Sequence, residues 1–238
     1  MGKWALITGA SGGIGQEIAR SLADDGYNLY LHFNQNQKAV ENLAAELDVN
    51  YELICADLSN SNGVYDILAK ISNPLEVLIL NAGTSYTGLM TDMTDKEVFE
   101  MVQLHITSPF LLTKNLLGSM VHNKRGKIIV ISSIWGLTGA SCEVLYSMVK
   151  GGQNTFVKAL AKEVAPSGIN VNGIAPGPIE TRMMKAISDE DKQTILAEIP
   201  MGRFGTPEEV AHAVSFLVSD KSSYINGEII SINGAWYT

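Results

Sequence analysis

Tyr146 and Lys150 stand four residues apart in EVLYSMVKGG (residues 143–152), a run that otherwise reads as helix. Positions i and i+4 share one face of a helix, so the phenol and the ammonium would be neighbours. A cation beside a tyrosine favours the phenolate and draws its pKa down from about 10, which would make a usable acid near neutral pH. A tyrosine and a lysine on one solvated face would show the same spacing, so their surroundings must decide. A second chemical signal lies at the other end of the chain. TGASGGIG, residues 8–15, follows an apolar β-branched run and opens a helical one. Glycines there let the backbone turn tightly toward a pyrophosphate, and a helix N-terminus offers it unpaired N–H groups.

The elements that must carry these residues alternate along the whole chain. Strand-like runs occupy residues 3–8, 28–33, 51–56, 76–80, 126–132, 169–174 and 228–232, with helix-like stretches between them. Continuous apolar strands separated by helices predict a parallel sheet covered on both faces. With right-handed crossovers this becomes an α/β fold, a doubly wound (Rossmann) seven-stranded parallel sheet with helices on both faces. On this reading TGASGGIG, Ala56-Asp57, Asn81-Ala82-Gly83, Ser132-Ser133 and PGPIET (176–181) all lie at strand carboxyl ends. That rim is where open α/β sheets bind ligands. The irregular stretch from Pro176 to Thr206 reads as a lid, with residues 182–206 closing over a substrate.

Composition narrows the possibilities. The 238 residues are 46% hydrophobic and 18% charged, which suits a single domain spanning 1–238. A net charge of −8 argues against a nucleic-acid partner, and no apolar run approaches the ~20 residues that span a bilayer. No signal-peptide pattern precedes the first strand, so a soluble cytoplasmic protein is expected. Cys55, Cys142 and four scattered histidines lack metal-ligand spacing, so no metal is expected.

Taken together, TGASGGIG, NAG, Ser133 thirteen residues before YSMVK, and PGPIET resemble a short-chain dehydrogenase/reductase, over essentially the whole chain. Within that family the chain is most similar to bacterial 3-oxoacyl-(acyl-carrier-protein) reductases. The resemblance implies that Tyr146 donates the proton, Ser133 orients the carbonyl, and Lys150 holds the nicotinamide ribose while depressing the tyrosine pKa. Ketone reduction needs a hydride on carbon and a proton on an oxygen that gathers negative charge, and both hydroxyls can donate to that oxygen. It also implies a cofactor site made of Thr8, Gly9, Ser11, Gly13, Ile14, Gly15, Asn34, Asp57, Asn81, Ala82, Gly83, Tyr146, Lys150, Pro176, Gly177, Ile179 and Thr181. Of these, Asp57 would meet the adenine, and Ile179 and Thr181 would flank the carboxamide and phosphates. An NAD site would carry an acid after the second strand. LHFNQNQK offers Asn34 instead, which favours NADPH over NADH, although the arginine common before the second motif glycine of NADPH members is Gly12 here.

Two further departures concern substrate and relay. The family's relay asparagine, whose backbone holds a water, is replaced by His105, which either substitutes structurally or joins catalysis as a group titrating near pH 6.5. Of two basic positions typical of carrier-protein docking, one is Lys124 and the other is Ser167. SSIWGLTGASCEVLYSMVKGGQ with MVQLH also resembles reductases that act on a 5-aminopentanone group attached to a lysine of elongation factor P. There Glu143, with Trp135 and Cys142, would line the pocket for an amine-bearing substrate. The expected partner is thus a ketone, small or carried on acyl carrier protein or elongation factor P. The family resemblance further implies a homotetramer through helices near 93–120 and 147–164, with Leu145, Val149, Phe156 and Leu160 forming an apolar stripe. A catalytically silent nucleotide-binding regulator is the non-enzyme alternative, against which the intact Ser133, Tyr146 and Lys150 weigh.

Overall fold

The computed structural model describes residues 2–181 and 188–238. Its sheet runs through β1 (Trp4–Ile7), β2 (Asn28–Phe33), β3 (Tyr51–Cys55), β4 (Val77–Leu80), β5 (Gly126–Ile131), β6 (Ile169–Pro176) and β7 (Ile229–Ile232). All neighbours are parallel, in the order β3-β2-β1-β4-β5-β6-β7. The order reverses between β1 and β4, which opens a crevice at their carboxyl ends. The helices are α1 (Gly13–Asp24), α2 (Gln37–Glu46), α3 (Gly63–Leu68), α4 (Asp95–Val102), α5 (Ser108–Asn123), α6 (Trp135–Thr138), α7 (Val144–Val164), α8 (Asp189–Glu198) and α9 (Pro207–Val218).

Side chains alternate across a strand, so each strand feeds two cores. Ala5, Ile7, Leu29, Leu31, Ile129 and Ile131 face α1, α2 and α9, where they meet Ile18, Leu22, Val40, Leu43, Val210 and Val214. Leu6, Tyr30, Leu78, Ile128 and Val130 face the other way, onto Val64 of α3, Leu112 and Leu116 of α5, and Val157 and Ala161 of α7. This two-sided burial is why the strands read as unbroken apolar runs. The doubly wound seven-stranded sheet read from the sequence is therefore the observed architecture.

Two local features depart from the sequence reading, and part of one expectation falls outside the described residues. The stretch read as irregular contains α8, started by the Ser188 side chain accepting from the Asp191 N–H. Residues 182–187 of the expected lid lie outside the described residues. Val149, assigned to an apolar subunit stripe, is buried within its own chain, and Phe156 and Leu160 pack on the core. The apolar side chains that reach the surface of those helices are instead Phe99, Phe110 and Met148.

Polar stitching fixes the last strands. Asn172, wholly buried, donates to the Ile225 carbonyl at 2.9 Å and accepts from the Glu228 N–H at 3.0 Å. Asn226 returns the pattern by accepting from Val171 N–H at 2.7 Å. Replacing Asn172 by Leu would take the acceptor from the Glu228 N–H and leave the Ile225 carbonyl to its other donor, Asn170 Nδ2 at 3.1 Å. We expect Asn172→Leu to lower unfolding free energy by about 1 kcal/mol, read as a shift in the urea midpoint at unchanged slope.

Candidate active site

The glycine loop leaves β1 and enters α1 through Gly12, which caps the helix without a side-chain hydrogen bond. The first turn of α1 also carries no acidic residue, so its N–H groups face the crevice with a bare positive dipole end. Space is kept there by missing side chains. A Cβ on Gly15 would fall 2.3 Å from the Gly9 carbonyl oxygen, and one on Gly9, at φ +70°, would fall 2.9 Å from Ala82 Cα. Thr8 ties this loop to the end of β4: its hydroxyl accepts from the N–H groups of Asn81 and Ala82 at 2.9 and 3.0 Å. Asn81, expected to line a cofactor, spends its own amide on the Thr8 carbonyl at 2.9 Å and the Gly9 carbonyl at 3.2 Å. From the far side, the Thr181 methyl sits 3.2 Å from where a Gly13 Cβ would be, so the segment following β6 reaches the loop. Ser11 offers its carbonyl to Gln16, and Ile14 packs on the core.

His32 is a brace the sequence reading did not single out. Its Nδ1 accepts from the Gly9 N–H at 3.1 Å, and its Nε2 lies 3.1 Å from the Ala56 carbonyl, so Nε2 carries the proton. One buried ring thus joins the glycine loop to the end of β3. The signal was a histidine inside the otherwise apolar NLYLHF run. Beyond β3, the Asp57 carboxylate accepts from the Ser59 N–H at 2.9 Å and the Ser59 hydroxyl at 2.6 Å, which holds it below the usual carboxylate range. Asn34 lies across from it, with Nδ2 3.4 Å from the Asp57 oxygen. No acid stands at the end of β2, as read from the sequence.

At the centre of the rim, the Ser133 hydroxyl oxygen accepts from the Trp135 N–H at 3.2 Å and lies near enough to the Tyr146 hydroxyl to favour its ionised form. Lys150 lies beneath, 4% exposed, with Nζ 5.6 Å from the Tyr146 ring centre and 2.8 Å from the Ile131 carbonyl. Burial governs both groups. It pushes Tyr146 up to about 12, against the opposing influence of the Ser133 hydroxyl, and Lys150 down to about 7. The spacing argument predicts a depressed phenol; desolvation outweighs it here. His105 also departs from one of its readings. The ring is fully buried in a π-helical turn (Gln103–Thr107), edge-on to Tyr146 at 5.7 Å, and Nε2 donates to the Thr84 carbonyl at 2.8 Å. Burial, and after it the Lys150 charge, hold it near 3, so it stays neutral at working pH and titration near 6.5 is denied to it. Gly83 makes room for the ring, since a Cβ there would come 2.7 Å from His105 Cε1.

The expected substrate residues border this centre. The half-buried Glu143 precedes α7 near the Trp135 side chain, while burial raises its pKa. Cys142 adopts φ +61° and gives its carbonyl to the Gly88 N–H at 2.8 Å. Trp135 packs edge-on against Trp236 and Tyr237 with ring centres 5.3 and 5.6 Å apart. Those two C-terminal aromatics carried no local signal; only the fold brings them to the site. Pro176 ends β6 and accepts from the Ile134 N–H at 3.1 Å, Gly177 bonds the Ile232 carbonyl at 2.8 Å, and Ile179 bridges to Gly205. Among the described residues there is no cluster of metal-ligating side chains and no helix long and apolar enough to cross a membrane.

A doubly wound sheet with a glycine loop and a Ser-Tyr-Lys cluster on one rim defines a nucleotide-dependent oxidoreductase architecture. The chain belongs to the short-chain dehydrogenase/reductase family. A family model described as enoyl-(acyl carrier protein) reductase matches residues 9–236. An uncharacterised oxidoreductase of Bacillus subtilis, YmfI, is 54% identical over 241 residues, covering all of both chains. The 3-oxoacyl-(acyl-carrier-protein) reductase of Escherichia coli is 36% identical over 239 residues, 99% of this chain and 98% of its own. A solved structure of a provisionally assigned 2-deoxy-D-gluconate 3-dehydrogenase from Agrobacterium tumefaciens, holding NADP, superposes with a TM-score of 0.91 at 30% identity, covering 99% and 96% of the two chains. This chain is accordingly an oxidoreductase acting on CH–OH or C=O groups.

The depressed His32 pKa has a consequence for stability. Its folded value is about 4 against 6.5 unfolded, so the unfolded chain binds the extra proton between those values. The stability is present above pH 6.5 and is lost as pH falls toward 4. We expect urea unfolding at pH 4 to show a loss, relative to pH 7, about 3 kcal/mol smaller in His32→Asn than in the native chain.

Proposed function

We propose that this chain is an NADPH-dependent reductase that converts a ketone to a secondary alcohol, resembling 3-oxoacyl-(acyl-carrier-protein) reductases. The observation that carries the reading is Tyr146 beside Ser133 and over a buried Lys150, on the rim shared with the open glycine loop. Bound in the crevice, the nicotinamide supplies the hydride. Thr8, Gly9, Ser11, Gly13, Ile14 and Gly15 would hold the pyrophosphate, and Asn34 and Asp57 the adenosine end. Asn81, Ala82, Gly83, Pro176, Gly177, Ile179 and Thr181 would flank the remainder. Lys150 offers its ammonium to the ribose. Ser133 and Tyr146 donate to the ketone oxygen, and Tyr146 gives up its proton as negative charge gathers there. A phenol pushed up to about 12 remains far more acidic than the alcohol formed when the alkoxide takes its proton, so the raised value does not oppose reduction. We read residues 182–206 as the lid; α8 within it is tied toward the site by Trp236 Nε1 donating to Glu198 at 3.2 Å. The exposed Phe99, Phe110 and Met148 support a homotetramer, and the free Cys55 and Cys142 support a reducing, cytoplasmic setting.

A second reading of the substrate is favoured by one observation. The Glu143 carboxylate lies near enough to Tyr146 to raise its pKa, and it is half-buried beside Trp135. A carboxylate so placed suits a ketone bearing an ammonium group, such as the 5-aminopentanone on a lysine of elongation factor P. Carrier-protein docking has less support: Lys124 is exposed, but the other expected basic position is Ser167, and Arg125 is paired with Glu76 at 2.9 Å.

Steady-state assays should show Tyr146→Phe lowering kcat for ketone reduction by about 10³-fold and Ser133→Ala by about 10²-fold, with KM for NADPH nearly unchanged. Full turnover by Tyr146→Phe would overturn the acid assignment. Asn34→Asp should move the NADPH-to-NADH ratio of kcat/KM at least ~10-fold toward NADH, because the new carboxylate repels a 2′-phosphate and accepts from a 2′-hydroxyl. To separate the substrates, Glu143→Gln should raise KM about tenfold for an amino ketone and leave acetoacetyl thioesters unaffected. In a gene deletion, mass spectrometry of elongation factor P should find a product two hydrogens lighter; an unchanged mass would exclude that substrate.

A further inference from the structure

Gln153 lies three residues beyond Lys150 on the same face of α7 and is 3% exposed. Its Oε1 accepts from Lys150 Nζ at 3.1 Å, and its Nε2 donates to the main-chain carbonyl of His105 at 2.8 Å. The two partners fix the orientation of the amide, since the reverse would set donor against donor and oxygen against oxygen. The His105 carbonyl is available for a sequence reason. Its usual helical donor would be the N–H four residues on, and that residue is Pro109, which has none. The π-helical turn at 103–107 thus presents a buried carbonyl that Gln153 fills.

Lys150 has three N–H donors. The Ile131 carbonyl takes one and Gln153 another. No carboxylate among the described residues pairs with this ammonium. The titratable groups facing it are the Tyr146 phenol on its own helix and the neutral His105 imidazole on the π-turn; β5 contributes the Ile131 carbonyl. A buried cation held only by neutral oxygens depends on each of them.

We propose that Gln153 is a positioning residue for the reaction: its amide clamps the Lys150 ammonium to the His105 turn and keeps that lysine cationic beside Tyr146. This rests on the proton-transfer reading above. By tying α7 to the turn before α5, the clamp also takes the carbonyl at which the family resemblance implies a relay water. Gln153 joins Lys150 to that turn directly.

The test follows Lys150 itself. In protein labelled with carbon-13 at lysine Cε, the Lys150 resonance is the one absent from Lys150→Met, and its pH titration is read without turnover. Gln153→Leu should move that titration down by about one pH unit, and Gln153→Glu, which sets a carboxylate against the ammonium, should move it up by about one. The alkaline limb of kcat/KM for ketone reduction should follow in the same directions. Titration in the Leu variant at the native position, or displacement of both variants in one direction, would make Gln153 a packing residue and overturn the proposal. Failure of both variants to fold would do the same. Full activity in Tyr146→Phe would instead remove the proton-transfer reading, while the Lys150 titration would still report on the clamp.

Discussion

Burial of the Lys150 ammonium is the constraint around which the rest of the site is arranged. A cation taken out of water must be met by oxygens, and here they come from three elements: the Ile131 carbonyl at the end of β5, the Gln153 amide on α7, and through it the His105 carbonyl. These contacts fix α7 against the sheet and the π-turn at once, and they set the Tyr146 ring over the lysine. The same desolvation that makes the site costly lowers the lysine and raises the phenol.

The sheet supplies what the lysine cannot. A parallel sheet sends every strand's carboxyl end to one rim, and the reversal of strand order between β1 and β4 opens that rim. Thr8 and Asn81 close the reversal with four hydrogen bonds to backbone, and His32 extends the bracing to β3. The glycine loop is thereby held rigid before any ligand arrives. Such preorganisation lowers the ordering cost of binding.

Much of this was legible in the chain. Unbroken apolar runs marked strands buried on both faces, and the turn residues that follow them marked the rim. Legibility failed where a residue's behaviour depends on what surrounds it. Tyr146 and Lys150 have the spacing of an activated pair, but spacing carries no information about solvent, and burial reversed the expected shift of the phenol. Val149 and Phe156 have the period of an interface, which is also the period of a core. Trp236 and Tyr237 are a hundred residues from Trp135 in sequence and have no shared pattern with it. Helix α8 was hidden because its apolar periodicity is weak and its start depends on the Ser188 cap.

The sequence by itself determined the sheet, the rim and the residue types placed along it, because periodicity and turn chemistry are local and each strand obeys them independently. It also determined that the His105 carbonyl would lack its helical donor, since proline has no N–H. Only the tertiary structure decided which groups lost their water. Protonation, the choice of Gln153 as the partner of that carbonyl, and the meeting of Glu143 with Trp135 all follow from burial and from contacts between distant segments. Those are properties of the assembled site, and no one segment carries them.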